Sequence, residues 1–117
     1  MMQYSKDELY ERRKNVIDTI ERLAEEKNKI LNRFDEIEEC LRRDVDLFER
    51  ILSDDNCNKR TADIIEKLLE KNINHIKKNE DNLEEILSEC DKQNRELEEE
   101  LYTLDYEIEN GNSVEEN

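Results

Sequence analysis

Proline and tryptophan are absent, and a single glycine, Gly111, serves 117 residues. Sheet proteins need such residues to turn their strands, so the composition argues against an all-β or α/β fold. Aromatic residues number six, four Tyr and two Phe, and apolar residues make up 34%, below the usual ~45–50%. A compact core enclosing a catalytic pocket needs more apolar bulk than that. No apolar run exceeds two residues, so no segment can cross a bilayer. The start Met1-Met2-Gln3-Tyr4-Ser5-Lys6-Asp7-Glu8 has no apolar stretch of the kind a cleaved secretory signal requires. Three cysteines, Cys40, Cys57 and Cys90, are an odd number without framework spacing, which suits a reducing compartment. His75 is the lone histidine, and no CxxC or HxxxH pattern accompanies it, so zinc ligation has no donor set. The Glu-x-x-His pairs of di-iron bundles are also missing, since Asn72 stands where the Glu would be. The reading is non-enzymatic, with no catalytic, cofactor or metal site.

Charge is what the sequence has in abundance. Lys and Arg total 19 against 34 Asp and Glu, for a formal net charge of −15. High charge with low hydrophobicity is also the signature of disorder, and periodicity decides between the two. From Val16, steps of four and three reach Ile20, Leu23, Lys27, Ile30, Phe34, Ile37, Leu41, Asp44, Phe48 and Ile51. From Ala62 they reach Glu66, Leu69, Ile73, Ile76, Glu80, Leu83, Leu87, Cys90, Asn94, Leu97, Leu101, Leu104 and Ile108. Sustained apolar occupancy at that spacing is a helix seam. Two long helices follow.

Local signals place their ends. Ser5 followed by Glu8 forms a capping box, with Tyr4 and Leu9 placed for a hydrophobic staple. The polar run Ser53–Thr61 breaks the stripe, and Asn58 or Thr61 is the expected N-cap of the second helix. Gly111 falls just after the last stripe residue, where a left-handed C-cap belongs. The expected organisation is an N-terminal lead over 1–4, helix 1 over 5–53, a turn over 54–61, helix 2 over 62–110 and a flexible tail over 111–117. The fold class is all-α, a coiled-coil-like antiparallel two-helix hairpin with a short polar turn and a disordered C-terminal tail. Opposed charges support folding back over one continuous rod: Arg12–Lys14 would face Glu98–Glu100, and Lys77–Lys78 would face Glu36, Glu38 and Glu39.

Beside the first seam runs a second column, Ile17, Ala24, Leu31, Glu38, Val45 and Leu52, apolar at five of six positions. A stripe that wide is a bundle face, and one partner helix cannot cover it. The expectation is a companion: another helical protein, or a second copy in a homodimeric four-helix bundle. Lys27, Asp44, Glu80 and Asn94 interrupt the seam, where buried polar residues select register and partner. Acidity is concentrated late, since residues 80–117 hold 15 acids and 2 bases. Phosphates would be repelled there, so nucleic acid is not an expected partner, and no membrane insertion is expected.

The segments Ser5-Lys6-Asp7-Glu8-Leu9-Tyr10, Arg42-Arg43-Asp44-Val45-Asp46-Leu47-Phe48-Glu49-Arg50 and Leu101-Tyr102-Thr103-Leu104-Asp105-Tyr106 resemble the small helical targeting proteins encoded beside LXG-domain toxins of the type VII (Esx) secretion pathway in Gram-positive bacteria. The resemblance covers about residues 5–109. It implies a hairpin related in shape to the WXG-type secreted proteins. It also implies binding to the elongated helical LXG domain of a toxin, with a second small helical protein as a further partner. The family's export signal sets an acid four residues after an aromatic. Phe34 with Glu38 and Tyr4 with Glu8 fit this, whereas Tyr102 is followed at that distance by Tyr106 and Tyr106 by Asn110, and the turn has no Trp-x-Gly.

The sequence therefore reads as a cytoplasmic adaptor that targets a toxin for type VII export. Any export of the adaptor itself, alone or with its partner, would use a route that reads no cleaved signal peptide. The alternative is a self-associating structural coiled coil without a client. The expected partner-binding residues are Ile17, Leu31, Val45 and Leu52, with Tyr102, Asp105 and Tyr106 as a recognition patch.

Overall fold

A computed structural model describes residues 4–115, with side chains as far as Gly111. Two helices account for it, α1 (Lys6–Leu52) and α2 (Lys59–Glu115), and the fold class is the expected all-α antiparallel two-helix hairpin with a short polar turn. The ends follow from capping. The Ser5 hydroxyl accepts a hydrogen bond from the Glu8 backbone N–H at 3.2 Å, so Ser5 is the N-cap and Lys6 the first helical residue. The Tyr4 ring lies beneath the Arg12 guanidinium, 4.3 Å from its centroid, a cation–π contact.

Between the helices the chain turns on its own side chains. The Ser53 hydroxyl and N–H both donate to the Glu49 carbonyl, and Asp54 Oδ1 accepts from the Asn56 N–H at 2.9 Å. Asn58 Oδ1 accepts from the Thr61 N–H at 2.8 Å, which makes Asn58 the N-cap and Thr61 the third residue of the helix. The second helix therefore begins three residues before the expected 62. With Lys59 and Arg60 in its first turn and no acid there, the helix dipole gains nothing from side-chain charge, and the Asn58 cap carries the helix start.

One expectation is overturned at the other end. Gly111 does not terminate α2; the helix runs to Glu115, and no glycine has a positive φ. The left-handed cap is usually accompanied by an apolar contact across the helix end, and here Glu107 and Asn112 stand at those positions. A lone Gly within a helix costs only about 1 kcal/mol, so the helix passes through it. Residues 116–117, the end of the expected tail, lie outside the described residues.

The chain divides into two compact units, one of Met1–Asn28 with Leu87–Asn117 and one of Lys29–Ile86. In the first, Leu9, Val16, Leu104 and Ile108 are buried, with Ile20, Leu97 and Leu101 packed against them. Arg13 Nε binds Asp105 Oδ1 at 2.6 Å and Lys27 Nζ binds Asp91 Oδ1 at 3.3 Å. Partner numbers fall as residue numbers rise, so the segments are antiparallel. Arg13 meets Asp105, beyond the Glu98–Glu100 cluster expected to face it. In the second unit no described residue is fully buried, and the interface consists of half-buried side chains such as Leu41, Phe48, Leu69 and Ile76. Asn79 Nδ2 reaches the Phe34 carbonyl at 3.5 Å, and Arg42 reaches Glu80 at 3.3 Å. Glu38 and Glu39 pair with Arg42 and Arg43 on their own helix rather than with Lys77–Lys78.

Candidate functional site

The covered seam in the second unit is not the one the stripe count gives. In α1 burial follows Phe34, Glu38, Leu41, Val45, Phe48 and Leu52, with Ile51 half-buried beside Leu52, while Ile37 and Asp44 are exposed. In α2 it follows Ala62, Ile65, Leu69, Asn72, Ile76, Asn79 and Leu83, leaving Glu66, Ile73 and Glu80 exposed. An α-helix gains about 20° on a strict seven-residue repeat with each heptad. The contact stripe absorbs that drift by taking two successive steps of four at Ile30–Phe34–Glu38.

This shift moves the expected partner column. Ile17, Leu31, Val45 and Leu52 are all half-buried. Val45 and Leu52 belong to the seam itself, so the column is not the uncovered face that the sequence suggested. The late patch divides as well. Tyr102 is 75% exposed and Tyr106 60%, whereas the Asp105 carboxylate is held by Arg13. Tyr102 lines a shallow open hollow with Arg95, Glu98, Glu99 and Thr103.

The uncovered aliphatic surface lies elsewhere: Ile37, Leu47, Ile64, Leu68 and Ile73, each between 41% and 53% exposed, all in the Lys29–Ile86 unit. Their arrangement follows from the seam. Arg42 is one residue after seam position Leu41, and Glu80 is one after Asn79; their ion pair puts those two flanks on the same side of the helix pair. Residues one before a seam position, Ile37, Asp44 and Ile51 in α1 with Leu68 and His75 in α2, therefore share the opposite side. Leu47 and Ile64 lie four residues before Ile51 and Leu68 and so on the same faces. Four of the five exposed aliphatics thus stand on one side of the pair, and Ile73 stands on the other. Counting apolar residues at fixed spacing hid this cluster, because it assigned Ile37 to the seam.

On the Ile73 side, Arg42 also binds Glu38 at 3.0 Å. A hydrogen bond between the two carboxyl groups lowers the Glu38 pKa, helped by Arg42, and raises that of Glu80. Two acids brought together share one proton more readily than they both ionise. Among the described residues, no group of three or more His, Cys, Asp or Glu could hold a metal ion, and no helix is long and apolar enough to cross a membrane. Cys40, Cys57 and Cys90 are free thiols. Comparison with protein-family models, curated proteins and solved structures gives no match to this chain.

Proposed function

We propose that this chain is a non-enzymatic adaptor that binds the helical N-terminal LXG domain of a toxin and promotes its export by the type VII pathway. It acts in the cytoplasm, where its complex with the toxin presents the cargo to the export machinery. The observation that carries the reading is the one-sided cluster of exposed aliphatic side chains between Ile37 and Leu68. Soluble monomers seldom leave such a group uncovered, and helical partners cover it with an apolar stripe of their own. The family resemblance supplies the identity of the partner. Tyr102 and Tyr106, both well exposed, remain candidates for a recognition patch; Asp105 would first have to leave Arg13.

The test is light scattering on the chain alone and mixed with the LXG domain of a toxin from the same cell. A 1:1 complex is expected. A stable, compact homodimer that ignores the LXG domain would replace this reading with the self-associating four-helix bundle, the second occupant that the same aliphatic surface could accept.

A further inference from the structure

The two sides of the Lys29–Ile86 unit differ in charge as well as in greasiness. Over residues 39–80, the side marked by the Arg42–Glu80 pair carries seven acids, among them Glu49, Glu66 and Glu70, against three bases. The aliphatic side carries Lys71 and Lys78 and a single acid, Asp44. The outward backs of both helices hold Arg43, Arg50, Arg60 and Lys67 around Leu47 and Leu68, and their acids, Glu36 and Asp81, lie at the Ile37 end. In a chain with a net charge of −15, the apolar cluster from Leu47 to Leu68 is thus edged by positive charge.

We infer that this face is a docking groove for an acidic amphipathic helix of a partner protein, one whose apolar stripe is flanked by Asp or Glu. The groove has the right form for a helix. Each of its walls is itself helical, Leu47 and Ile51 on one and Ile64 and Leu68 on the other, spaced by four residues or about 6 Å. From Ile37 to Ile51 the α1 wall runs 14 residues, about 21 Å, which two heptads of an added helix would span. The basic edge then meets the newcomer's acids, which steers encounter and rejects basic helices. A basic, apolar helix face can also lie on an anionic bilayer. Here, however, the aliphatics line the valley between two helices instead of a single ridge, and no aromatic side chain joins them. A second copy would have to bring acids to the same groove, and its equivalent face is basic. The inference rests on the adaptor reading only for the identity of the partner.

The probe is a synthetic three-heptad helix with leucines at alternating three- and four-residue steps, flanked by glutamates; its control carries lysines instead. Titrated against the full chain, the acidic peptide should bind, more weakly at higher salt, and the basic one should not. Leu68→Asp should weaken binding about tenfold or more, the loss of one buried aliphatic contact. The pair Lys67→Glu with Lys71→Glu should weaken it while leaving far-UV circular dichroism unchanged. Equal binding of the two peptides, or none by either, overturns the inference. So does a wild-type homodimer that Leu68→Asp dissociates, or binding only to phosphatidylserine vesicles. The adaptor reading fails separately. An LXG domain that binds wild type and Leu68→Asp alike removes the groove and keeps the adaptor; an LXG domain that does not bind, beside an acidic peptide that does, removes the adaptor and keeps the groove.

Discussion

The unit of Met1–Asn28 with Leu87–Asn117 and the unit of Lys29–Ile86 are built from the same two helices, yet they spend their apolar residues differently. The first buries Leu9, Val16, Leu104 and Ile108 and shows tyrosines, Tyr10, Tyr102 and Tyr106, at its surface. The second buries nothing completely and shows isoleucines and leucines. The seam residues explain part of this. Polar residues enter both seams, Lys27 and Asn94 in the first unit and Glu38, Asn72 and Asn79 in the second. In the first they stand to one end of the adjoining apolar layers Val16, Ile20, Leu97, Leu101 and Leu104, whereas in the second they alternate with the apolar residues. Polar residues at such positions reduce cohesion and sharpen register. A tyrosine keeps its hydroxyl in water while its ring is exposed, which an isoleucine cannot do. One unit therefore holds the fold, and the other keeps unspent the surface from which binding energy comes.

The sharpest way to break that contrast is through the buried leucine. Leu104→Ala should cost about 2–4 kcal/mol in denaturant unfolding, the range for removing a core leucine. Leu69→Ala, at a half-buried seam position of the other unit, should cost about 1–2 kcal/mol. Equal losses would show that the two units are equally well packed and that the burial difference has no energetic meaning.

Next in size is the cap. Asn58→Ala removes the acceptor for the Thr61 N–H, and loss of an N-cap costs about 0.5–2 kcal/mol. With only Lys59 and Arg60 in that first turn, no acidic side chain can substitute for it. Amide hydrogen exchange should speed up over residues 59–65 and stay unchanged around Leu104. Uniform acceleration along the chain would mean that the turn unfolds only together with everything else.

The same contrast marks what could be read from the residues. The hairpin, the Ser5 cap and the seam from Val16 to Lys27 and from Leu97 to Ile108 were all legible, because in those stretches the apolar count has one solution. In the second unit it has two. The stripe through Ala62, Glu66, Leu69, Ile73, Ile76, Glu80 and Leu83 holds five apolar residues of seven, and so does the observed one through Ala62, Ile65, Leu69, Asn72, Ile76, Asn79 and Leu83. In α1, Phe34, Ile37, Leu41, Asp44, Phe48, Ile51 ties in the same way with Phe34, Glu38, Leu41, Val45, Phe48, Leu52. What separates them is charge. The rejected stripes put Asp44, Glu66 and Glu80 into the seam, and the observed ones put Glu38 and two asparagines there. Desolvating a carboxylate costs far more than desolvating an amide that finds a partner, as Asn79 does at the Phe34 carbonyl. The aliphatic face could have been found by asking which stripe hides fewer charges. The tyrosine patch was legible as exposed residues, but the tie between Arg13 and Asp105 spans 92 positions and depends on a register that sequence spacing alone does not supply.

The smallest effect lies in the carboxyl pair and has a definite sign. Glu80 carries a raised folded-state pKa because its carboxyl shares a hydrogen bond with Glu38; its contribution to stability is present below its unfolded pKa and is lost as pH rises through the folded one. Glu38 is lowered, first by that hydrogen bond and then by Arg42; its contribution is present above its unfolded pKa and is lost as pH falls through the folded one. The two oppose each other within the acid range, so wild type should show little net slope from this pair. Glu80→Gln removes only the first limb, since the amide can still donate to the Glu38 carboxylate while carrying no charge. The variant's Tm should match wild type at acid pH, where Glu80 is protonated, and exceed it slightly as pH climbs to neutrality. Glu80 is exposed and Glu38 only half-buried, so the gain stays small and shrinks with added salt. A Tm difference that stays flat from pH 4 to pH 7 would mean that the two carboxylates do not interact in solution and that Arg42 alone ties the helices together at this level.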